Sequence, residues 1–239
     1  AEGDFNFEVD AKTKGVYGSL RGMVEKIKTM QDVIQKTSTS VAHGDLFVQI
    51  EKEGLQGGYA DTIDGVDRLK QTLVGFLDLL PVPFMTIDNS FSIRYLNKAG
   101  AGIFGKTGAQ MVGKHCYDCF KTSDCKTNQC ACKQAIDKGV QATSETDAHP
   151  VAGVDIDIKY IGFPMKDESG KVVGAAEVVM DQTEIKMAAK LAEKRGAYQE
   201  RQVGALVDYM CVMGEGVLHE HYDVEDGDED TQQAHDNFM

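Results

Sequence analysis

Three stretches of the chain carry apolar residues at the alternating three- and four-residue spacing of a heptad helix. Their members are Leu20, Met23, Ile27, Met30, Ile34, Thr37 and Val41, then Ile63, Val66, Lys70, Leu73, Leu77 and Leu80, and finally Val203, Leu206, Met210, Met213 and Val217. One polar residue, Lys70, interrupts the second stretch. A stripe this narrow is stable only against another helix, so the pattern predicts helices that pack as a bundle or coiled coil.

A glycine-led motif with alternating apolar residues recurs beside these helices. It reads GDFNFEV at 3–9, GDLFVQI at 44–50 and, more weakly, GVLHEHY at 216–222. The alternation predicts an extended connector. Such a connector carries the chain back to its starting end, so that two helices lie parallel, and pairing with a second chain then forms a four-helix bundle. A plain coiled-coil linker is the alternative, but it does not require a repeated connector.

The pattern changes from helical spacing to alternation after Leu80. Strands are predicted at 83–87, 91–96, 141–148, 154–161 and 172–180. Short helices and loops fill the interval from Asn97, a predicted helix cap, to about Gly139. Two strands, a run of helices and three further strands predict an α+β domain with a five-stranded antiparallel sheet and helices on one side.

Asp181 and Thr183 follow the last predicted strand and open the next helix. A carboxylate and a hydroxyl at this junction can cap the helix and bond back to the sheet. We therefore predict that these two residues relay a change in the sheet to the outgoing helix. An ordinary helix cap, without a relay role, is the alternative interpretation.

The order of elements and the Asp181-Gln182-Thr183 exit resemble the PAS fold. The helix–connector–helix unit resembles the HAMP domain, the relay module of chemoreceptors, because Gly44-Asp45-Leu46 matches its connector start. The unit departs from that family, since it lacks the early proline of the first helix and the usual start of the second. The resemblance implies the end of a HAMP-like connector at 1–13, a HAMP-like helix–connector–helix at 14–80, a PAS-like sensor domain at 81–183, and a signalling helix with the start of a further HAMP-like unit at 184–239.

Five of the six cysteines fall within one short segment: Cys116, Cys119, Cys125, Cys130 and Cys132. Three interpretations stay open. The thiolates bind zinc or an iron–sulfur centre, for which the spacing of Cys116 and Cys119 is suitable. They form a redox pair or switch. Or they are small buried residues that pack the helical side of the domain.

The cysteine segment is similar to a PAS variant found among methyl-accepting chemotaxis proteins of anaerobic bacteria. In that variant cysteines recur at positions matching Cys116, Cys125 and Cys130, so Cys119 and Cys132 look like additions. The chain is otherwise rich in core residues, so we expect reduced thiols in a cytoplasm rather than a disulfide framework.

The formal net charge is −13. A chain this acidic repels phosphate backbones, so we expect no nucleic-acid partner. The acidic run 223–230 predicts a solvated helix start. No phosphate-binding glycine loop and no catalytic motif is present, so we expect no enzyme activity. No segment is long and apolar enough to span a bilayer.

The chemoreceptor resemblance implies a non-catalytic sensor and relay in a chemotaxis transducer. The PAS-like domain senses a small molecule, a metal or a redox signal, and its ligand-binding residues are unknown. The helical segments form a homodimer, and the whole receptor engages a histidine kinase and its coupling protein. We expect a cytoplasmic segment of a protein attached to the inner membrane. Alternatives are the input module of a sensor histidine kinase or of a cyclic-dinucleotide synthase, and a metal or iron–sulfur redox sensor.

Overall fold

The computed structural model describes residues 15–52, 54–214 and 224–237. The first and third copies of the glycine-led motif, at 3–9 and 216–222, lie outside the described residues. The chain divides into two compact units, Ala1–Met180 and Asp181–Met239. None of the helices in the described part combines the length and apolar character needed to cross a membrane.

The first unit opens with two long helices and continues into the sheet domain. Its helices are α1 (Val16–Ala42), α2 (Gly58–Asp78), α3 (Lys98–Gly102), α4 (Gly108–Met111), α5 (Cys116–Phe120) and α6 (Ala131–Lys138). Its strands are β1 (Phe84–Asp88), β2 (Ile93–Leu96), β3 (Ala142–Ala148), β4 (Ile156–Lys166) and β5 (Val172–Asp181). The second unit contains α7 (Thr183–Gly214) and α8 (Gln232–Asp236).

The connector between α1 and α2 returns along α2. Residues late in the connector contact the start of α2, and residues early in it contact later turns: Lys52 pairs with Asp64 at 2.9 Å, and the Lys70 amine donates to the Val48 carbonyl. The connector therefore runs antiparallel to α2. A small core of Val33, Leu55 and Ile63 joins the three segments.

Only part of the apolar surface of α1 is buried by other described residues of the chain. Val33 and Thr37 are buried on α1, whereas Leu20 and Met23 are 44% and 50% exposed. The reason is that α2 begins beside Val33, so the first turns of α1 extend past it. Lys70 interrupts the second stripe with a polar contact. Its amine donates to a connector carbonyl and pairs with Asp67 at 3.1 Å.

The sheet has the strand order β2-β1-β5-β4-β3. All five strands were predicted, although β4 continues beyond the expected 161 to Lys166. Side chains alternate between the two faces of a sheet. On one face Met85 and Ile87 pack with residues of α3 to α6 in the main core. On the other face Thr86 and Tyr95 contact the α1–α2 connector. Helices α3 to α6 thus pack on one face of the sheet, and the non-helical connector contacts the opposite face at β1 and β2.

The second unit is a long helix with a return segment on it. Tyr198 and Gln202 are buried on α7, while Val203 and Met210 of the third heptad stripe are 50% and 63% exposed. The acidic residues at 225–230 precede the start of α8 and are about half exposed where they pair, as a solvated helix start predicts, and three of them also pair with basic residues of α7. Glu225 pairs with Arg201, and Asp228 and Asp230 pair with Lys194 at 2.6 and 2.8 Å. Basic residues along α7 supply the charge that holds the acidic segment.

Candidate functional site

The structure places the five clustered cysteines in three different environments. Cys116 and Cys119 belong to α5, and Cys130 and Cys132 lie at the start of α6. Cys125 lies in the loop that joins these helices. All five are free thiols, as is the exposed Cys211. The packing interpretation accounts for Cys116, Cys119 and Cys132, which are buried in the main core.

Three of the thiols share one cavity of about 250 Å³ between α5, α6 and the turn before β2. The cavity is lined by Phe91, Cys116, Tyr117, Cys125, Lys126, Thr127, Cys130 and Lys133. The Tyr117 ring stacks on His115 with 4.8 Å between centroids, and the Lys126 amine lies 4.1 Å from the Tyr117 centroid. Both contacts restrain the Tyr117 ring in the wall of the cavity.

Cys132 makes a different contact, to a buried carboxyl group. Its Sγ donates to Oε2 of Glu177 at 2.7 Å, and the two residues are 0% and 7% exposed. Glu177 lies opposite Met85 in the β1–β5 ladder and so faces the helical side of the sheet. Burial raises the pKa of Glu177 to about 7, and the hydrogen bond from Cys132 opposes part of that rise.

Burial also determines the ionisation of the thiols. It raises the pKa of Cys116, Cys119 and Cys130 above the ordinary value, and the neighbouring Glu177 raises that of Cys116 and Cys130 further. The pKa of Cys132 is raised well above its usual range by the same two causes. These thiols are therefore protonated and uncharged at neutral pH, which makes them poor nucleophiles.

The metal and iron–sulfur interpretation of the cysteines stays a prediction. Within the described ranges, no three side chains of His, Cys, Asp or Glu are grouped so that they could hold one metal ion. Cys132 donates its thiol hydrogen to Glu177, and Cys119 packs in the main core but does not line the cavity. The redox interpretation stays a prediction.

The connector between α1 and α2 is fastened to the far face of the sheet. The Thr86 hydroxyl donates to the Gly44 carbonyl at 2.6 Å. A Cβ atom on Gly44 would lie 2.8 Å from the Thr86 side chain, and Gly44 has a φ of +80°. The glycine of the Gly-Asp-Leu motif is thus required both for its backbone conformation and for this close approach. Phe47 adds an aromatic contact to Tyr95, with 5.1 Å between ring centroids.

Asn97 joins the end of α2 to the sheet domain. Its Oδ1 accepts from the backbone N–H groups of Phe84 and Gly100, and its Nδ2 donates to the carbonyls of Leu77 and Val82. The predicted cap of α3 is confirmed by the Gly100 contact. The other three bonds reach α2, the following loop and β1, and Asn97 is fully buried.

Asp181 performs the predicted capping of the outgoing helix. Its Oδ1 accepts from the backbone N–H of Thr183 at 2.8 Å, where α7 begins. One residue, Gln182, separates β5 from α7. The relay role of Asp181 and Thr183 stays a prediction.

Glu177 was missed by the sequence analysis, which found only the capping part of the role of Asn97. Glu177 is the only charged residue within the apolar run 172–180, and a lone carboxylate in a buried strand signals an unusual environment. The wider role of Asn97 had no comparable signal, because its partners at Leu77 and Val82 are backbone groups.

Comparison with known proteins identifies the sheet domain. Residues 77–186 match the family described as PAS fold. The chain therefore contains a PAS domain, which is a sensory signal-transduction module. No curated protein matches the chain.

Several solved structures are similar to part of the chain. A PAS domain of a Colwellia psychrerythraea protein is 22% identical, covers 49% of this chain and 99% of its own, and has a TM-score of 0.43. A PAS domain from a two-component sensor histidine kinase is 9% identical, and the match covers 48% of this chain and 98% of that domain with a TM-score of 0.41. The PAS domain of nitrogen regulation protein NR(II) from Vibrio parahaemolyticus is 13% identical, with coverages of 46% and 96% and a TM-score of 0.38.

Proposed function

We propose that this chain is the sensory and relay segment of a chemoreceptor-like protein. Its PAS domain binds a small molecule, and the parallel pair α1–α2 acts as a HAMP-like relay that couples the PAS domain to the rest of the receptor. The observation that supports this most strongly is the attachment of the connector to the sheet through Thr86, Gly44, Phe47 and Tyr95. A change in strand β1 has a direct physical route to the helices through these contacts.

The exposed apolar stripes support a homodimer. Leu69, Leu73 and Phe76 are exposed on α2 at heptad spacing, and Leu80 continues this spacing just after the helix. Leu20 and Met23 are exposed on α1. A second copy of the chain, placed in parallel, would cover both stripes in one four-helix bundle. Two packings of such a bundle provide the bistable element that a relay requires.

We extend this assignment to the complete receptor. The outgoing helix α7 leads toward an output hairpin that engages a histidine kinase and its coupling protein at the inner membrane. The segment relays a signal and catalyses no reaction. The net charge of −13 supports the absence of a nucleic-acid partner.

A fusion experiment tests the relay. The chain is joined in register to the kinase-control hairpin of a chemoreceptor, and autophosphorylation of the histidine kinase is measured with the coupling protein present. We expect Thr86→Val to shift kinase activity, because it removes the bond to Gly44. Thr72→Val is the matched control, since the Thr72 hydroxyl donates to the backbone carbonyl of Arg68 within α2.

Unchanged kinase activity in Thr86→Val would contradict the relay through the connector. A parallel fusion to the catalytic half of a sensor histidine kinase tests the alternative output. If only that fusion responds to Thr86→Val, the chain is the input module of a kinase rather than of a chemoreceptor.

A further inference from the structure

We propose that the cavity between α5 and α6 binds a small aromatic carboxylate. This inference rests on the proposed sensory function and names the ligand class of its PAS domain. The cavity is the one lined by Cys116, Cys125 and Cys130 together with Phe91 and Tyr117.

The size and polarity of the cavity suit a single aromatic ring. A dry cavity of about 150 Å³ lined by apolar groups accepts benzene, so about 250 Å³ holds a ring with one substituent. Phe91 and Tyr117 offer ring contacts. Sulfur atoms pack favourably against aromatic rings. The thiols of the buried Cys116 and the partly buried Cys130 add no charge to the wall.

The charge at the cavity favours an anionic group on that ring. Lys126 and Lys133 line the cavity, and none of the described residues that line it is acidic. This contrasts with the chain as a whole, whose net charge of −13 repels anions. The Lys126 amine lies over Tyr117, and the Lys133 amine pairs with the exposed Asp137, so both amines are held beside the cavity.

The loop that closes the cavity is anchored rather than loose. Asp124, next to Cys125, accepts hydrogen bonds from the hydroxyls of Tyr160 and Ser144 at 2.9 and 2.6 Å. The Thr122 hydroxyl lies 3.1 Å from the Cys125 sulfur. A wall held by such bonds is preorganised, which lowers the entropic cost of binding a small ligand.

The cavity also connects to the strand that leads to the relay. Cys116 lines the cavity and belongs to the same core cluster as Cys132, whose thiol donates to Glu177 on β5 at 2.7 Å. Glu177 pairs across the ladder with Met85 on β1, the residue before Thr86. A ligand that displaces α5 or α6 therefore presses on the strands that hold the connector.

Calorimetry on the whole chain tests the proposal, with benzoate, phenylacetate and 4-hydroxybenzoate as probes and benzamide as the neutral control. We expect at least one acid to bind more tightly than benzamide. Lys126→Gln and Lys133→Gln should each weaken the acids by about three-fold, the size of one partly exposed ion pair, and leave benzamide unchanged. Lys138→Gln is the matched control, because Lys138 lies on α6 and bonds to Gln134 outside the cavity.

Cys125→Phe places a ring in the cavity and should abolish binding of all the probes. Its thermal melting is compared with that of the unaltered chain, so that lost binding is separated from lost folding. If none of the three acids binds at millimolar concentration, or if Cys125→Phe binds them unchanged, the cavity is not the site. Equal binding of benzamide and the acids would overturn the carboxylate assignment. These results are independent of the kinase assay, which tests the relay alone.

Discussion

The Cys132 thiol and the Glu177 carboxyl group form a hydrogen-bonded pair inside the PAS domain, with 2.7 Å between Sγ and Oε2. Neither group has a positively charged partner in this contact. A carboxyl group in such a site favours its neutral form, because desolvation penalises the charge more than one thiol donor stabilises it. Protonation of Glu177 is therefore coupled to folding of the domain.

The pH dependence of stability follows from the pKa of Glu177. A pKa near 7 in the folded chain, against an ordinary 4.5, means that the folded state holds this proton more tightly than the unfolded state. The contribution is fully present below about pH 4.5 and is lost as the pH rises through about 7. The loss is on the order of 3 kcal/mol.

Urea unfolding from pH 5 to pH 8 measures this loss. Glu177→Gln should remove the pH-dependent loss, since glutamine carries no titrating group, and Glu168→Gln on the exposed turn should retain it. A profile in Glu177→Gln with the same slope as that of the unaltered chain would assign the pH dependence to another group.

Asn97→Ala should destabilise the first unit by about 2–4 kcal/mol, because it leaves several buried backbone groups without partners. These are Phe84 N–H and the carbonyls of Leu77 and Val82, in addition to the cap of α3. Thermal unfolding gives the free energy, with the exposed Asn128→Ala as control. A loss below about 1 kcal/mol would mean that water replaces the amide.

Gly44→Ala should cost about 1–3 kcal/mol of stability and loosen the connector. Both a φ of +80° and a contact of 2.8 Å with Thr86 oppose the added methyl group. Gly54→Ala is the matched control, because Gly54 has a φ of +78° and open space around its Cα. Equal destabilisation of the two variants would assign the cost to backbone conformation alone, with no contribution from the contact with Thr86.

Arg201→Ala should release the return segment from α7. Arg201 bonds Glu225 and holds the pKa of that carboxyl group below its usual value. The ion pair therefore stabilises the folded return segment above the ordinary pKa of Glu225, and this stabilisation is lost as the pH falls through the lowered pKa. Hydrogen exchange at the Glu225 amide, which donates to Gln202, reports the change.

High salt should likewise increase hydrogen exchange at the Glu225 amide, because the Arg201–Glu225 ion pair is exposed and is screened by salt. Lys190→Ala, elsewhere on α7, is the control and should leave exchange unchanged. Exchange that is insensitive to both Arg201→Ala and salt would show that the ion pair does not hold the segment.

Local pattern predicted the elements of the PAS domain. The alternation at 154–161 and 172–180 marked β4 and β5, and Asn97 and Asp181 were predicted as caps from their positions before helices. Strands and caps depend on interactions between residues a few positions apart, so they can be predicted from the local sequence. The return of the connector along α2 was likewise predictable from its alternating pattern.

Heptad spacing was a weaker guide to burial. Heptad spacing predicted one apolar stripe on α1 that contains Leu20, Met23, Ile27 and Ile34. The residue that is buried against Ile63 is Val33, which lies outside that stripe. Periodicity identifies an apolar face, but the position of the connector decides which part of that face the chain itself covers. The remainder is available to a second chain.

The order of elements, the helix caps and the clustering of the cysteines along the chain follow from residues that are near one another in the sequence. The chemistry of that cysteine cluster depends on tertiary packing. Packing turned Cys132 toward Glu177, left Cys116, Cys125 and Cys130 around one cavity, and brought Thr86 against Gly44. These contacts join residues up to 45 positions apart, so they depend on how the sheet and helices pack, which local spacing does not encode.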